Sequence, residues 1–327
     1  MAEISETAEI KGDASGIPNS RKRVYGYICG ILSGMMYGTN PLFGLPLMTT
    51  HGMPVDSVLF YRYGSAALCM LIWVAAMRMK HRPHAAKLEA EKPVRIGFAL
   101  GGLLFVLGLF FCLSSLFLFH SYHYIPSGIA TTIIYVEPVL VALIMVFLKE
   151  YPSWQKWVAI AVSFVGVVLL CHQDGAAVFR WQGILLAFLS ALSYAFYLVI
   201  VNCSKRLKPV SGSMLGLTTL AVGTIVFLVH ALITSGGIMP ITSLSEFGLV
   251  LGLGLLPTIG SLVTMTYATR TIGATTTVIL GVLEPVTAIG IGVCLFNEPL
   301  TAYIICGFVL IAGAIGFMTW SDRDKRS

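Results

Sequence analysis

Two carboxylates carry the strongest chemical signal in the chain. The tripeptides Glu137-Pro138-Val139 and Glu284-Pro285-Val286 stand 147 positions apart, each in the middle of an apolar run. A carboxyl at that depth in a hydrophobic segment is costly to desolvate, which makes a contact with solute or proton the default reading. The bland alternative is that each Glu only bonds a hydroxyl or amide on a neighbouring helix. Proline lacks an N–H and its ring clashes with the carbonyl four residues back. Pro138 should therefore break its helix and free the carbonyl of Ile134. Pro285 should do the same to Gly281. Each run would then offer a carboxyl and a loose carbonyl side by side.

Other polar residues share these runs. Arg62 lies two turns into the second apolar segment, and its guanidinium keeps its charge under all ordinary conditions. It can snorkel outward, pair with Glu137, Glu284 or Asp56, or attract an anionic group. Tyr37, Asn40 and Pro41 make a polar, broken patch in the first segment, and Tyr194, Tyr197 and Asn202 hold a similar place in the sixth. Thr264 and Tyr267 lie late in the eighth. All of these either line a cavity and hydrogen-bond a small polar solute or bond between helices. His120 and His123 flank a short turn and read as interfacial, while His51, His172 and His230 near segment ends carry no clear message.

The elements that must position these groups follow from composition. The chain is 57% hydrophobic and only 11% charged, against about 25% charged residues in soluble domains. Its mean hydropathy is +0.85. Most of it must be solvated by lipid. A spanning helix needs about 20 mostly apolar residues. Ten runs qualify: 25–48, 55–77, 96–119, 126–147, 155–171, 183–203, 212–234, 247–268, 274–296 and 301–320. They are uniformly apolar rather than alternating, which excludes a barrel and leaves helices, the element that satisfies its own backbone in lipid. The chain is therefore expected to be an all-α membrane protein. Residues 1–24 read as a disordered cytoplasmic tail without the apolar core of a cleaved leader. With both termini cytoplasmic, 19 of the 21 Lys and Arg fall on the inner side, and only Arg180 falls outside. That is the positive-inside pattern. The net charge of +6 is thus a topology signal, and nucleic-acid binding is rejected.

The chain repeats itself. Gly26, Gly30, Ser33, Gly34, Tyr37 and Gly38 recur 157 positions later as Gly183, Ala187, Ser190, Ala191, Tyr194 and Ala195. The repeats are expected over 25–172 and 181–321. Five helices per half is odd, so the second half must enter the membrane in the opposite sense, as in carriers that alternate access about a midplane site. The Gly26, Gly30, Gly34, Gly38 ridge and its Ala counterpart read as close helix packing, with sliding of smooth faces as the functional alternative.

Several classes drop out. The seven Cys have no paired spacing and read as apolar fillers. No P-loop, GxSxG or HExxH signature occurs. Neither an enzyme, a metal site nor a cofactor is expected.

Taken together, several motifs resemble the drug/metabolite transporter superfamily in its ten-helix EamA-type branch. They are Tyr37-Gly38-Thr39-Asn40, Phe60-Tyr61-Arg62-Tyr63, Tyr124-Ile125-Pro126-Ser127-Gly128-Ile129-Ala130, Lys149-Glu150, Gly273-Ala274-Thr275, Glu284-Pro285-Val286 and Asn297-Glu298-Pro299-Leu300. The likeness runs over nearly all of 25–320. It implies two EamA domains, an inner-membrane location if the source is bacterial, and export of amino acids or other small metabolites; protons as a coupling ion are suggested separately, by the carboxyls of Glu137 and Glu284 at membrane depth. It also implies a central cavity walled by helices one, three, four, six, eight and nine, with Tyr37, Asn40, Glu137, Tyr194, Tyr267 and Glu284 as lining residues. Tyr37 stands where the family often has Trp. A non-transporting scaffold or sensor and a flippase for lipid-linked carriers are the competing readings. Monomer and homodimer are both open.

Overall fold

The structure, a computed structural model, describes residues 19–88, 97–147, 154–171, 180–207, 210, 212–234, 236–272, 277 and 280–324. Among them the regular structure is helical throughout: α1 (Asn19–Gly38), α2 (Asn40–Thr49), α3 (Val55–Leu88), α4 (Phe98–Ser121), α5 (Ser127–Ile134), α6 (Glu137–Phe147), α7 (Trp154–Cys171), α8 (Trp181–Cys203), α9 (Gly212–Thr234), α10 (Leu244–Gly254), a π-helical turn (Leu255–Gly260), α11 (Ser261–Ile272), α12 (Leu283–Phe296) and α13 (Ala302–Asp324). Every expected run holds helix. Six stretches are long and apolar enough to cross a membrane, and Leu283–Phe296 and Ala302–Phe317 are shorter apolar helices. The chain is an integral, multi-pass, all-helical membrane protein.

Some boundaries differ from expectation. α1 begins at Asn19, so residues 19–24, expected in the tail, are helical. Arg21, Lys22 and Arg23 are good helix formers and extend the first turn beyond the apolar stretch. α3 continues to Leu88, eleven residues past the expected end, for the same reason. The rest of the tail, residues 89–96, Lys149-Glu150, His172 and Gly273-Ala274-Thr275 lie outside the described residues.

Four of the ten segments are interrupted, each beside a proline: the first at Thr39 before Pro41, the fourth at Tyr135–Val136 before Pro138, the eighth in the π turn around Pro257, and the ninth at Gly281–Val282 before Pro285. A proline is tolerated in the first turn of a helix, where its missing N–H would have no partner anyway. Hence α2, α6 and α12 each restart with Pro in their first turn.

The helices sort into two bundles. In one, α1 packs on α11, the π turn and α12, while α2 packs on α10 and α12. In the other, α8 packs on α4, α5 and α6. Exchanging segment one with six, three with eight and four with nine maps the first set of contacts onto the second, as an inverted repeat requires. The peripheral pairs α3 with α9 and α7 with α13 map onto themselves. The bundles pack on each other where α5 meets α12 and where α2 meets α4, since a Cβ on Gly44 would stand 2.7 Å from Phe119 Cε1.

Small residues set the spacing within each bundle. A Cβ on Gly26 would stand 2.7 Å from Ile272 Cγ2, one on Gly30 2.6 Å from Leu280 Cδ1, and one on Gly34 3.0 Å from the Leu280 carbonyl oxygen. Ala187, Ala191 and Ala195 are fully buried on the matching ridge of α8. The core between elements is apolar, with Leu47, Leu59, Phe119 and Phe227 fully buried. Outward-facing Ile233, Phe164 and Ile225 are 78%, 70% and 60% exposed, which suits lipid and would be a defect in water. Trp154, Trp157 and Trp181 are exposed at segment ends, the placement of an interfacial aromatic belt.

Candidate functional site

The site is built where the broken helices meet. Pro257 cannot donate to the carbonyl of Leu253; the Thr258 hydroxyl does so instead, at 3.1 Å. That hydroxyl also accepts from Arg62 Nε at 3.0 Å. The guanidinium lies over the Phe119 ring, 5.6 Å from its centroid, and only 3% of Arg62 is exposed. Arg62 therefore does not snorkel. Nor does it pair directly with a carboxylate: among the described residues, the side-chain ion pairs within 4.0 Å are His51–Glu246 and His230–Asp56. Asp56 is committed to His230 Nδ1 at 2.8 Å and to the Thr234 hydroxyl at 2.9 Å. A buried guanidinium thus keeps donors for something other than a fixed counter-ion.

The break in the first segment is shaped by Asn40-Pro41. Pro41 leaves the Tyr37 carbonyl without its helical donor, and Asn40 Nδ2 supplies one at 2.8 Å. Asn40 is 3% exposed, and among the described residues its buried Oδ1 has no hydrogen-bond partner. This buried acceptor is held at the point where α1 gives way to α2. The Tyr37 side chain, half-buried at the end of α1, faces Arg62 and lies in the fields of Glu284 and Glu137.

Glu137 opens α6 and Glu284 lies in the first turn of α12. The helix breaks thus put each carboxyl at the positive end of a half-helix, where negative charge is stabilised. Both residues are half-buried. The charge of Arg62 acts on Glu284, and that of Glu284 acts on Glu137. Arg62 and the two carboxyls thus lie within electrostatic reach of one another along this chain of charges. The expectation of a loose carbonyl at Gly281 is corrected: it accepts from the Glu284 backbone N–H at 2.9 Å. The break tightens the turn to a three-residue bond, and that bond takes up the acceptor.

The second bundle adds an aromatic wall. Tyr194 stacks on Tyr197 with ring centroids 5.6 Å apart and meets Phe111 edge-on at 5.8 Å. Its side chain lies in the field of Glu137 and of Tyr37. Tyr122, near Arg62 and Glu284, buries its hydroxyl beside the cluster. Sequence reasoning passed over it because it sits in the turn after α4.

Arg62, Tyr37, Glu284, Glu137 and Tyr194 are thus brought together, with Asn40, Pro138 and Pro285 at the breaks. Tyr267 is not. It lies on α11, is 42% exposed, and among the described residues no hydrogen bond or ring contact joins it to the cluster. Thr264 spends its hydroxyl on the Gly260 carbonyl at 2.7 Å. His51 and His230, silent in sequence, hold carboxylates. The π turn at Thr258 was missed, although Pro257 in the middle of an apolar run carries the same signal as Pro138 and Pro285.

The model of the EamA-like transporter family matches the chain twice, over residues 24–171 and 181–320. The chain belongs to the EamA-like transporter family. Similar proteins include the uncharacterized transporter YdfC of Bacillus subtilis, 27% identical over 194 residues, which are 59% of this chain and 62% of that protein. The uncharacterized inner membrane transporter YedA of Escherichia coli K12 is 23% identical over 58% of this chain and 61% of its own length. The matched stretch spans less than two thirds of each of these relatives. One solved crystal structure, 17% identical, covers 92% of this chain and 99% of its own with a TM-score of 0.60. At that identity it shows the fold alone.

Proposed function

We propose that this EamA-like protein is a secondary carrier that exports small polar metabolites, amino acids among them, from the cytoplasm in exchange for protons, with both termini cytoplasmic. The observation that carries this reading is the meeting of Arg62 and Glu284 with Glu137 and Tyr194 across two bundles, at four proline breaks. The guanidinium and the carboxyls feel one another's charge without closing an ion pair. That spacing suits a zwitterion, with its carboxylate toward Arg62 and its ammonium toward Glu284 or Glu137, while Tyr194 and Tyr37 cover its apolar part. Asn40 Oδ1 offers a further acceptor. The carboxyls are also the groups able to exchange a proton with either side as the bundles rock.

The test is flux of an amino-acid panel through proteoliposomes, with and without a pH gradient. Saturable flux driven by the gradient is expected, and Glu284→Gln should abolish it while the protein still inserts and binds lipid normally. Wild-type flux with unchanged pH dependence in Glu284→Gln would remove the coupling role. Absence of saturable flux for every solute would favour a scaffold or sensor.

A further inference from the structure

The motif Asn297-Glu298-Pro299-Leu300 has no part in the site just described, yet it reaches across the molecule. α12 ends at Asn297 in a left-handed conformation, φ 53°. The Glu298 N–H then returns to the Gly292 carbonyl at 2.9 Å. This reversal aims the Glu298 side chain back over α12, where its carboxylate occupies the place a Cβ on Gly292 would take. From there it caps α5. Glu298 Oε1 accepts from the Ser127 N–H at 2.7 Å and the Ser127 hydroxyl at 2.8 Å, and Oε2 accepts from the Gly128 N–H at 3.3 Å. A carboxylate on the free N–H groups of a helix start is a charge-assisted contact favoured by the helix dipole.

Its position distinguishes it from the other polar contacts. Ser33 bonds the Ser261 carbonyl within the first bundle, and Ser114 bonds Ser190 within the second. His51–Glu246 joins the end of α2 to α10 inside the first bundle, and Asp56–His230 joins the peripheral pair α3 and α9. Glu298 makes side-chain hydrogen bonds that run directly from one bundle to the other. They lie where α5 packs on α12, at the Lys/Arg-poor end. There Gly128 abuts α12 so closely that a Cβ would stand 2.8 Å from Ile289 Cγ1. The α5 side of this seam is smooth there, with glycine in place of a side chain. A smooth seam can part cleanly once its polar clasp is released.

We propose that Glu298 is the latch of the gate at the Lys/Arg-poor end: its carboxylate, seated in the Gly292 notch and on the α5 N-terminus, holds the two bundles shut there, and the site opens to that side when the carboxylate leaves its seat. This rests on the carrier reading, and the experiment separates the two. A cysteine is placed at Ile289, inside the seam, and another, in a separate variant, at Ile311, which is fully buried against Gly166 between α7 and α13. The full-length protein in vesicles is treated with a membrane-impermeant maleimide from the Lys/Arg-poor side, and labelling is read site by site by mass spectrometry. Glu298→Gln keeps the shape but loses the charge. It should raise labelling at position 289 about tenfold and leave position 311 unchanged. Gly292→Ala keeps the charge but fills the notch, and it should give the same rise. No change at 289 in either variant, or a parallel rise at 289 and 311, would overturn the latch. The labelling needs no solute. A rise confined to 289 without saturable flux therefore keeps the latch and removes the carrier reading, whereas flux with unchanged labelling removes the latch alone.

Discussion

The Thr258 hydroxyl accepts from Nε of the buried Arg62 guanidinium, and Thr258→Val isolates that contact. Valine matches threonine in shape, so packing against the π turn is kept. Two hydrogen bonds disappear: Arg62 Nε to Oγ1 at 3.0 Å and Oγ1 to the Leu253 carbonyl at 3.1 Å. A bond to a charged group is worth about 1.5–3 kcal/mol and a neutral one about 0.5–1.5 kcal/mol. With Arg62 only 3% exposed, bulk water cannot replace the lost acceptor without repacking. The expected loss is about 2–4 kcal/mol, which for a chain of this size lowers the thermal midpoint by about 5–10 °C. Thr258→Ser is the control. It restores both bonds and gives up one methyl group, worth about 0.8 kcal/mol. Thermal unfolding of the purified protein in a single detergent, followed by intrinsic fluorescence, measures the midpoints. Flux measured on the same preparations should show kcat/KM at least tenfold lower for the valine variant, because an untethered guanidinium no longer holds its donors toward the solute. If the serine and valine variants share one midpoint and one kcat/KM, Thr258 does not position Arg62, and the account of the π turn is wrong.

Two further outcomes follow from packing and from placement. Gly38→Ala sets a Cβ against the Glu284 carbonyl oxygen and 2.7 Å from Thr287 Cβ; a backbone atom cannot turn aside, so the variant should lose about 1–3 kcal/mol, whereas Gly102→Ala, with nothing within 4 Å of its Cβ, should be neutral or slightly stabilising in the same melts. Tyr267→Ala should leave KM within twofold of wild type, since that ring stands apart from the cluster; a large KM increase would place it on the solute path after all.

Much of this arrangement is legible in sequence because lipid leaves few options. Uniform apolar runs become helices, and proline in such a run marks a break, as at Pro41, Pro138 and Pro285. The glycine ridge of α1 is legible for the same reason: spacing four puts Gly26, Gly30, Gly34 and Gly38 on one face, and the structure seats that face on α11 and α12. What sequence cannot supply is the facing direction of a residue on a helix that is apolar all round. Tyr267 and Tyr194 look alike in sequence, yet one joins the cluster and the other is 42% exposed. Partners distant in the chain are equally hidden. Arg62 meets Thr258 from 196 positions away, and Ser127 meets Glu298 from 171. The likeness between halves pairs Glu137 with Glu284, but it gives no hint that α5 is capped from the far end of α12.

The repeat is symmetric in its contacts and asymmetric in its breaks, and the difference bears on which half moves. The bundle of α1, α2, α10, α11 and α12 contains three interrupted segments, at Thr39, Pro257 and Gly281, whereas α4 and α8 in the other bundle run unbroken. An interrupted helix can change direction at its break without losing the hydrogen bonds of either half, because those at the break are already taken by side chains such as Asn40 and Thr258. An unbroken helix must move as a rod. Arg62 bonds Thr258 of the more interrupted bundle, while the next residue, Tyr63, bonds the Ser115 hydroxyl on α4 of the other at 2.6 Å. Consecutive residues of α3 thus hold opposite walls of the site.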